Sequence, residues 1–73
     1  MNIDIIEQFA IDQVTELRMK EGVTQREIGE IINASTSFVS NVESLKNPAK
    51  YNLKHIRQIA SHFKLSPKYF IME

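Results

Sequence analysis

The sequence predicts an all-α protein, a compact five-helix bundle forming one domain over residues 1–73, and three observations predict it. Glycine and proline are scarce, two of each, so little interrupts helical segments. Apolar residues recur at three- and four-residue intervals, the period of a helix with one buried face, and no strand pattern is evident. Polar residues suited to helix caps stand ahead of successive apolar runs at Thr24, Ser35, Asn52 and Ser66.

The first helix is expected to start near Asp4, which pairs with Glu7 as a capping box, and to carry Ile6, Ala10, Val14 and Leu17 along one face until Gly22 ends it. Thr24 opens the second, with Glu27 three residues on completing another capping box and Ile28, Ile31 and Ile32 facing inward. Gly29 lies inside that helix, where glycine costs about 1 kcal/mol relative to alanine, which points to a close approach that a side chain would obstruct. Asn33 and Ala34 make a tight connection. Ser35 then caps a third helix with Phe38, Val39 and Val42 inward, finishing near Ser44 or Leu45. A loop is expected from Lys46 to Tyr51, because Asn47-Pro48 initiates turns and Pro48 cannot continue a helix. Asn52 caps the fourth helix, with Leu53, Ile56, Ile59, Ala60 and Phe63 in register. Ser66-Pro67 starts the fifth with proline at its first position, and Tyr69, Phe70 and Ile71 close the bundle.

A hydrophobic share of 42% and a charged share of 25% exclude a disordered tail or a fibrous repeat. Without cysteine, neither a disulfide framework nor a thiolate metal site supports the small core, and a cytoplasmic setting is expected. No apolar stretch approaches the roughly 20 residues needed to cross a bilayer, so no membrane association is expected. The net charge is zero, yet it is unevenly spread. Residues 1–16 hold Asp4, Glu7, Asp12 and Glu16 and no cation, whereas residues 17–73 hold all nine Lys and Arg against five acids. An acidic first segment precedes a basic remainder.

Two short helices joined by a tight turn fix the second so that it projects from the domain, and an α-helix fits the B-DNA major groove. The residues that fill this plan are Leu17-Arg18, Gly22, Thr24-Gln25, Glu27-Ile28-Gly29, Ile32, Ser35, Val39-Ser40 and Val42-Glu43. They resemble the helix-turn-helix of the Xre and Cro-like, phage-repressor type of transcriptional regulators. Leu53, Ile59-Ala60, Leu65-Ser66 and Phe70 are similar to the fourth and fifth helices of the same lambda-repressor-like fold, so the resemblance spans about residues 10 to 71. It implies sequence-specific binding of double-stranded DNA by a regulator, a repressor, acting as a homodimer on a palindromic operator. Residues 35–44 would then be the recognition helix, formed by the second of the paired helices, 2 and 3.

Thr36, Ser37 and Asn41 fall on the outer face of the third helix, opposite Phe38, Val39 and Val42, and match the family's base-reading positions. Asn presents a donor and an acceptor to adenine, and the Thr methyl suits thymine; the alternative is that short polar residues merely cover a solvated face. Ser40 joins them or binds phosphate. Gln25, in the first turn of the second helix, is a backbone contact by the resemblance and otherwise a good helix former near a cap. Ser44, Lys46, Asn47 and Lys50 follow the recognition helix where the family holds a phosphate, positioning rather than reading. Lys54 and Arg57 are left as solvated charges. Arg18 and Glu43 occupy positions where the family pairs a basic residue of helix one with an acid ending helix three, implying a partly buried ion pair.

His55 and His62 have no acid or Cys beside them at metal-ligand spacing, so no metal is expected. Neither an activated nucleophile nor a glycine-rich phosphate loop is present, so no enzyme, cofactor or small-molecule ligand is expected. Candidate dimer contacts are Tyr69, Ile71 and Met72, with Ile3, Ile5 and Ile11. A second reading keeps the fold and makes it a protein-interaction module, such as the antitoxin-type component of a toxin pair, favoured by the neutral charge and acidic start.

Overall fold

The second, third and fourth helices each begin where a polar side chain accepts from a free backbone amide. A computed structural model describes residues 5–44 and 46–72. It contains α1 (Ile5–Lys20), α2 (Gln25–Ile32), α3 (Thr36–Glu43) and α4 (Leu53–His62), followed by a 3-10 turn over Pro67–Phe70, and no strand among the described residues. No described helix is long and apolar enough to cross a membrane. The radius of gyration, 11.2 Å, is that of a fully collapsed chain of this length.

The expected caps at Thr24, Ser35, Asn52 and Ser66 all form. Thr24 accepts from the Glu27 amide at 3.1 Å while the Glu27 carboxylate accepts from the Thr24 amide at 2.9 Å. These bonds from Thr24, its backbone N–H first, hold the Glu27 carboxyl below its ordinary pKa. Ser35 caps α3 through the Phe38 amide at 3.0 Å, and Asn52 caps α4 through the His55 amide at 2.8 Å. The Asp4 cap lies outside the described residues.

Three helices end in the same hydrogen-bonded motif, with a left-handed residue at Gly22 (φ 70°), Asn33 (φ 58°) and Lys64 (φ 59°). The next amide in each case reaches back five residues, Val23 to Arg18 at 2.8 Å, Ala34 to Gly29 at 2.7 Å and Leu65 to Ala60 at 2.8 Å. Val23, Ala34 and Leu65 then pack against the core, so each stop signal also turns an apolar residue inward. Gly22 and Asn33 suit this backbone; Lys64 adopts it without that advantage.

One fully buried large side chain comes from every element: Val14, Ile28, Val39, Ile59 and Phe70. Ile11, Leu17, Ile32, Val42, Tyr51, Ile56 and Ala60 complete the core. Along α1 the buried face is Ile11, Val14 and Leu17. Ile6, expected inward, is 52% exposed, because it lies beyond the part of α1 that the other helices cover. Ile11, expected as a dimer contact, is core. Leu53 is on the correct side of α4 but in its first turn, past the end of the core, and is 78% exposed. Ile31 and Phe38 are half-buried.

The expected fifth helix is a single four-residue 3-10 turn. It is closed by bonds from the Tyr69 amide to the Ser66 carbonyl and from the Ile71 amide to the Lys68 carbonyl. Its tight pitch turns Phe70 into the core within one turn of Pro67, while Ile71 emerges again at 43% exposure.

Gly29 is buried, and the close approach its position implies is to the connecting turn. A Cβ there would lie 2.7 Å from the Ala34 carbonyl oxygen and 3.3 Å from that of Ser35. Both are backbone atoms fixed by the α2 stop and the α3 cap. Gly29→Ala should therefore destabilise the protein by about 1–3 kcal/mol despite the helix-propensity gain of about 1. A urea midpoint equal to or above the parent's would show that the turn yields.

Candidate nucleic-acid interface

The α2 and α3 helices, eight residues each, are joined only by Asn33, Ala34 and Ser35, which the left-handed Asn33 and the Ser35 cap fix in place. Val39 and Val42 pull one side of α3 into the core. At about 100° per residue, Thr36, Ser37, Ser40 and Asn41 then share an arc of about 140° on the opposite side, and all four are exposed. The structure brings the three expected base-reading residues together with Ser40 on one outward polar face.

What holds that face is a network at the far end of α3. Arg18 Nε donates to Glu43 Oε2 at 2.8 Å and Arg18 Nη2 to Glu43 Oε1 at 2.9 Å, a two-point fork. The side chains are only 14% and 9% exposed, and Arg18 Nη1 also donates to the Val23 carbonyl at 3.1 Å. The expected Arg18–Glu43 pair is thus present and joins α1 to α3. Gln25 adds α2, its Nε2 donating to Glu43 Oε1 at 2.9 Å. The Gln25 amide nitrogen braces α3 from within the protein.

After α3 the chain is shaped by its own polar side chains. Ser44 is the C-cap, and its hydroxyl accepts from the Lys46 amide at 3.4 Å. Asn47 Oδ1 accepts from the Ala49 amide at 2.9 Å, an Asx-type turn that sets up Pro48. Ser44 and Lys46 are exposed and Asn47 is half-buried. Lys50 does not join them in a cationic cluster: its Nζ lies 2.7 Å from Glu7 Oε2 on α1.

Behind α3 stands an aromatic cluster. The Phe38 ring is 6.2 Å from that of Tyr51 and 5.4 Å from that of His55, and Tyr51 and His55 are 6.1 Å apart, all edge-on. Tyr51 is 7% exposed and its hydroxyl oxygen has no hydrogen-bond partner. Burial, and secondarily the Glu43 carboxylate, pushes its pKa far up, so it stays neutral. Burial, with Lys54 adding to it, lowers the His55 pKa; its Nδ1 accepts from the Asn52 amide at 3.2 Å, the geometry of a neutral ring.

Tyr51 and His55 were not among the expected site residues, although a signal was present. Tyr51 immediately precedes the Asn52 cap and is five positions before the fourth helical residue, Ile56, the spacing of a hydrophobic staple. Both Tyr51 and Ile56 are buried. A second surface feature lies away from α3, an apolar groove lined by Ile6, Ala10, Tyr51, Leu53, Phe70 and Ile71. Among the described residues no cluster of His, Asp or Glu is arranged to hold a metal ion. No protein-family model matches the chain, and the comparisons with curated proteins and with solved structures give no match.

Proposed function

We propose that the protein is a sequence-specific double-stranded DNA-binding regulator, a repressor with a lambda-repressor-like helix-turn-helix, in which α2 and α3 are the paired helices. The observation that carries this reading is the outward face of Thr36, Ser37, Ser40 and Asn41 on a short helix tied to both neighbouring helices by Arg18, Glu43 and Gln25. A rigidly held polar helix face is what major-groove readout requires. Thr36, Ser37 and Asn41 contact bases; Ser40, Ser44, Lys46 and Asn47 contact the sugar-phosphate backbone. Gln25 serves chiefly as the brace, and Lys50 reaches phosphate only by leaving Glu7. Two copies, with recognition helices about 34 Å apart, read a palindromic operator in the cytoplasm.

The test is duplex binding followed across a salt titration. Affinity should fall at least about tenfold between roughly 50 and 200 mM salt, because bound phosphates release counterions as salt competes. No binding at the lowest salt would overturn the reading and favour a protein-interaction module, for which the apolar groove beside Leu53 is the specific support.

A further inference from the structure

We infer that the base pairs read by α3 are A·T pairs, an inference that rests on the DNA-binding reading and specifies its ligand. Guanine is gripped chiefly by Arg or Lys on its O6 and N7, and cytosine is read by a carboxylate accepting from its N4 amine. The α3 sequence, Thr36–Glu43, contains no Lys or Arg. The arginines of the chain are Arg18, Arg26 and Arg57, and none rises from the reading face. Arg18 is spent as a fork on Glu43. Arg26 is on α2 with its Nε 3.5 Å from Glu30, and Arg57 is on α4 in a groove with Ile31, Gln58 and His62. Among lysines, Lys46 follows the helix in the connecting segment and Lys50 is paired with Glu7.

The same accounting removes the cytosine reader. Glu43 is the sole acid of α3, and both its oxygens are turned inward to Arg18 and Gln25. What remains is Thr36, Ser37, Ser40 and Asn41. Asn41 supplies an acceptor and a donor matched to N6 and N7 of adenine, and the Thr36 methyl supplies an apolar contact for the C5 methyl of thymine. The two serine hydroxyls donate or accept single bonds and so discriminate little. Every discriminating group on the face favours one member of an A·T pair.

The experiment uses the full chain at low salt to select from a random duplex pool. It is followed by binding to the selected site with each thymine of the α3-covered positions replaced in turn by uracil, which removes only the methyl. A core of A·T pairs is expected. One uracil position should weaken binding by about threefold or more for the parent and leave Thr36→Ser unaffected. Asn41→Ala should lose about tenfold on the selected site and little on a site with that adenine changed. Both substitutions are on exposed positions. Enrichment of G·C pairs under α3, or insensitivity to every uracil, overturns this inference while leaving DNA binding intact. Failure to retain any duplex overturns the DNA-binding reading itself.

Discussion

Arg18→Ala should lower stability by about 2–4 kcal/mol, somewhat below the cost of breaking a fully buried ion pair because these side chains keep some solvent contact. The loss comes from three groups at once. Glu43 keeps only the Gln25 amide as partner, the Val23 carbonyl loses its 3.1 Å donor, and α1 loses its polar tie to α3. A domain of this size has a total stability of only about 4–11 kcal/mol, so the variant should be partly unfolded by mild warming. The sign of the coupling separates a true pair from two independent contributions. Replacing both partners, Arg18→Met with Glu43→Met, should recover most of the loss, since no uncompensated charge remains and the apolar stems fill similar volume. The urea midpoints of the parent, single and double variants decide it. Equal midpoints for Arg18→Ala and the double variant would show that the pair adds nothing as a pair. The same single variant should weaken DNA binding even where it is folded, because the network ties α3 to both its neighbours.

How far this architecture is legible in the sequence depends on whether a feature is local. Caps are local: Thr24 with Glu27, Ser35 and Asn52 announce their helices by spacing alone, and all three form. Gly22 likewise marks the end of α1. The outward face of α3 was readable because Val39 and Val42, once assigned inward, leave Thr36, Ser37, Ser40 and Asn41 no other side. What periodicity could not decide is how far along each helix the core extends. Ile6 and Leu53 have the right angular position yet sit in the first turns of their helices, where both stay more than half exposed. Ile11 passed for a surface residue because the buried face of α1 is set by where α3 and the final turn pack. Lys64 in a left-handed conformation gave no signal in its residue type; the need to bring Leu65 inward imposes it. Lys50 matched a phosphate-binding position, but the chain's return past α1 sets it beside Glu7. That contact joins residues far apart in sequence. The fork of Arg18 on Glu43 is also non-local, spanning 25 residues, and only the resemblance to a family made it foreseeable.

Phe70→Ala should be the most damaging single truncation, costing about 3–5 kcal/mol, the range for removing a buried aromatic side chain and leaving its cavity. Phe70 is 1% exposed and comes from a turn of only four residues, which has no long helix to hold it if the ring is removed. The turn's other connections are modest: the Gln13 side chain donates to the Tyr69 carbonyl at 3.0 Å, and Tyr69 packs its ring against Phe70 at 5.0 Å. With the ring gone, the side of α1 and α4 that the turn covers is exposed to water, and a loss of this size approaches the whole stability of the domain. Far-UV circular dichroism against urea, measured at low temperature so that a folded baseline is retained, gives the magnitude. Ile71→Ala is the matched control, since that side chain is 43% exposed and its loss should cost well under about 1 kcal/mol. If Phe70→Ala unfolded at the same midpoint as Ile71→Ala, the terminal turn would be a dispensable appendage on a four-helix unit. The expected gap between them makes it instead the piece that closes the core, and ties the stability of the outward polar face of α3 to a residue of the final turn.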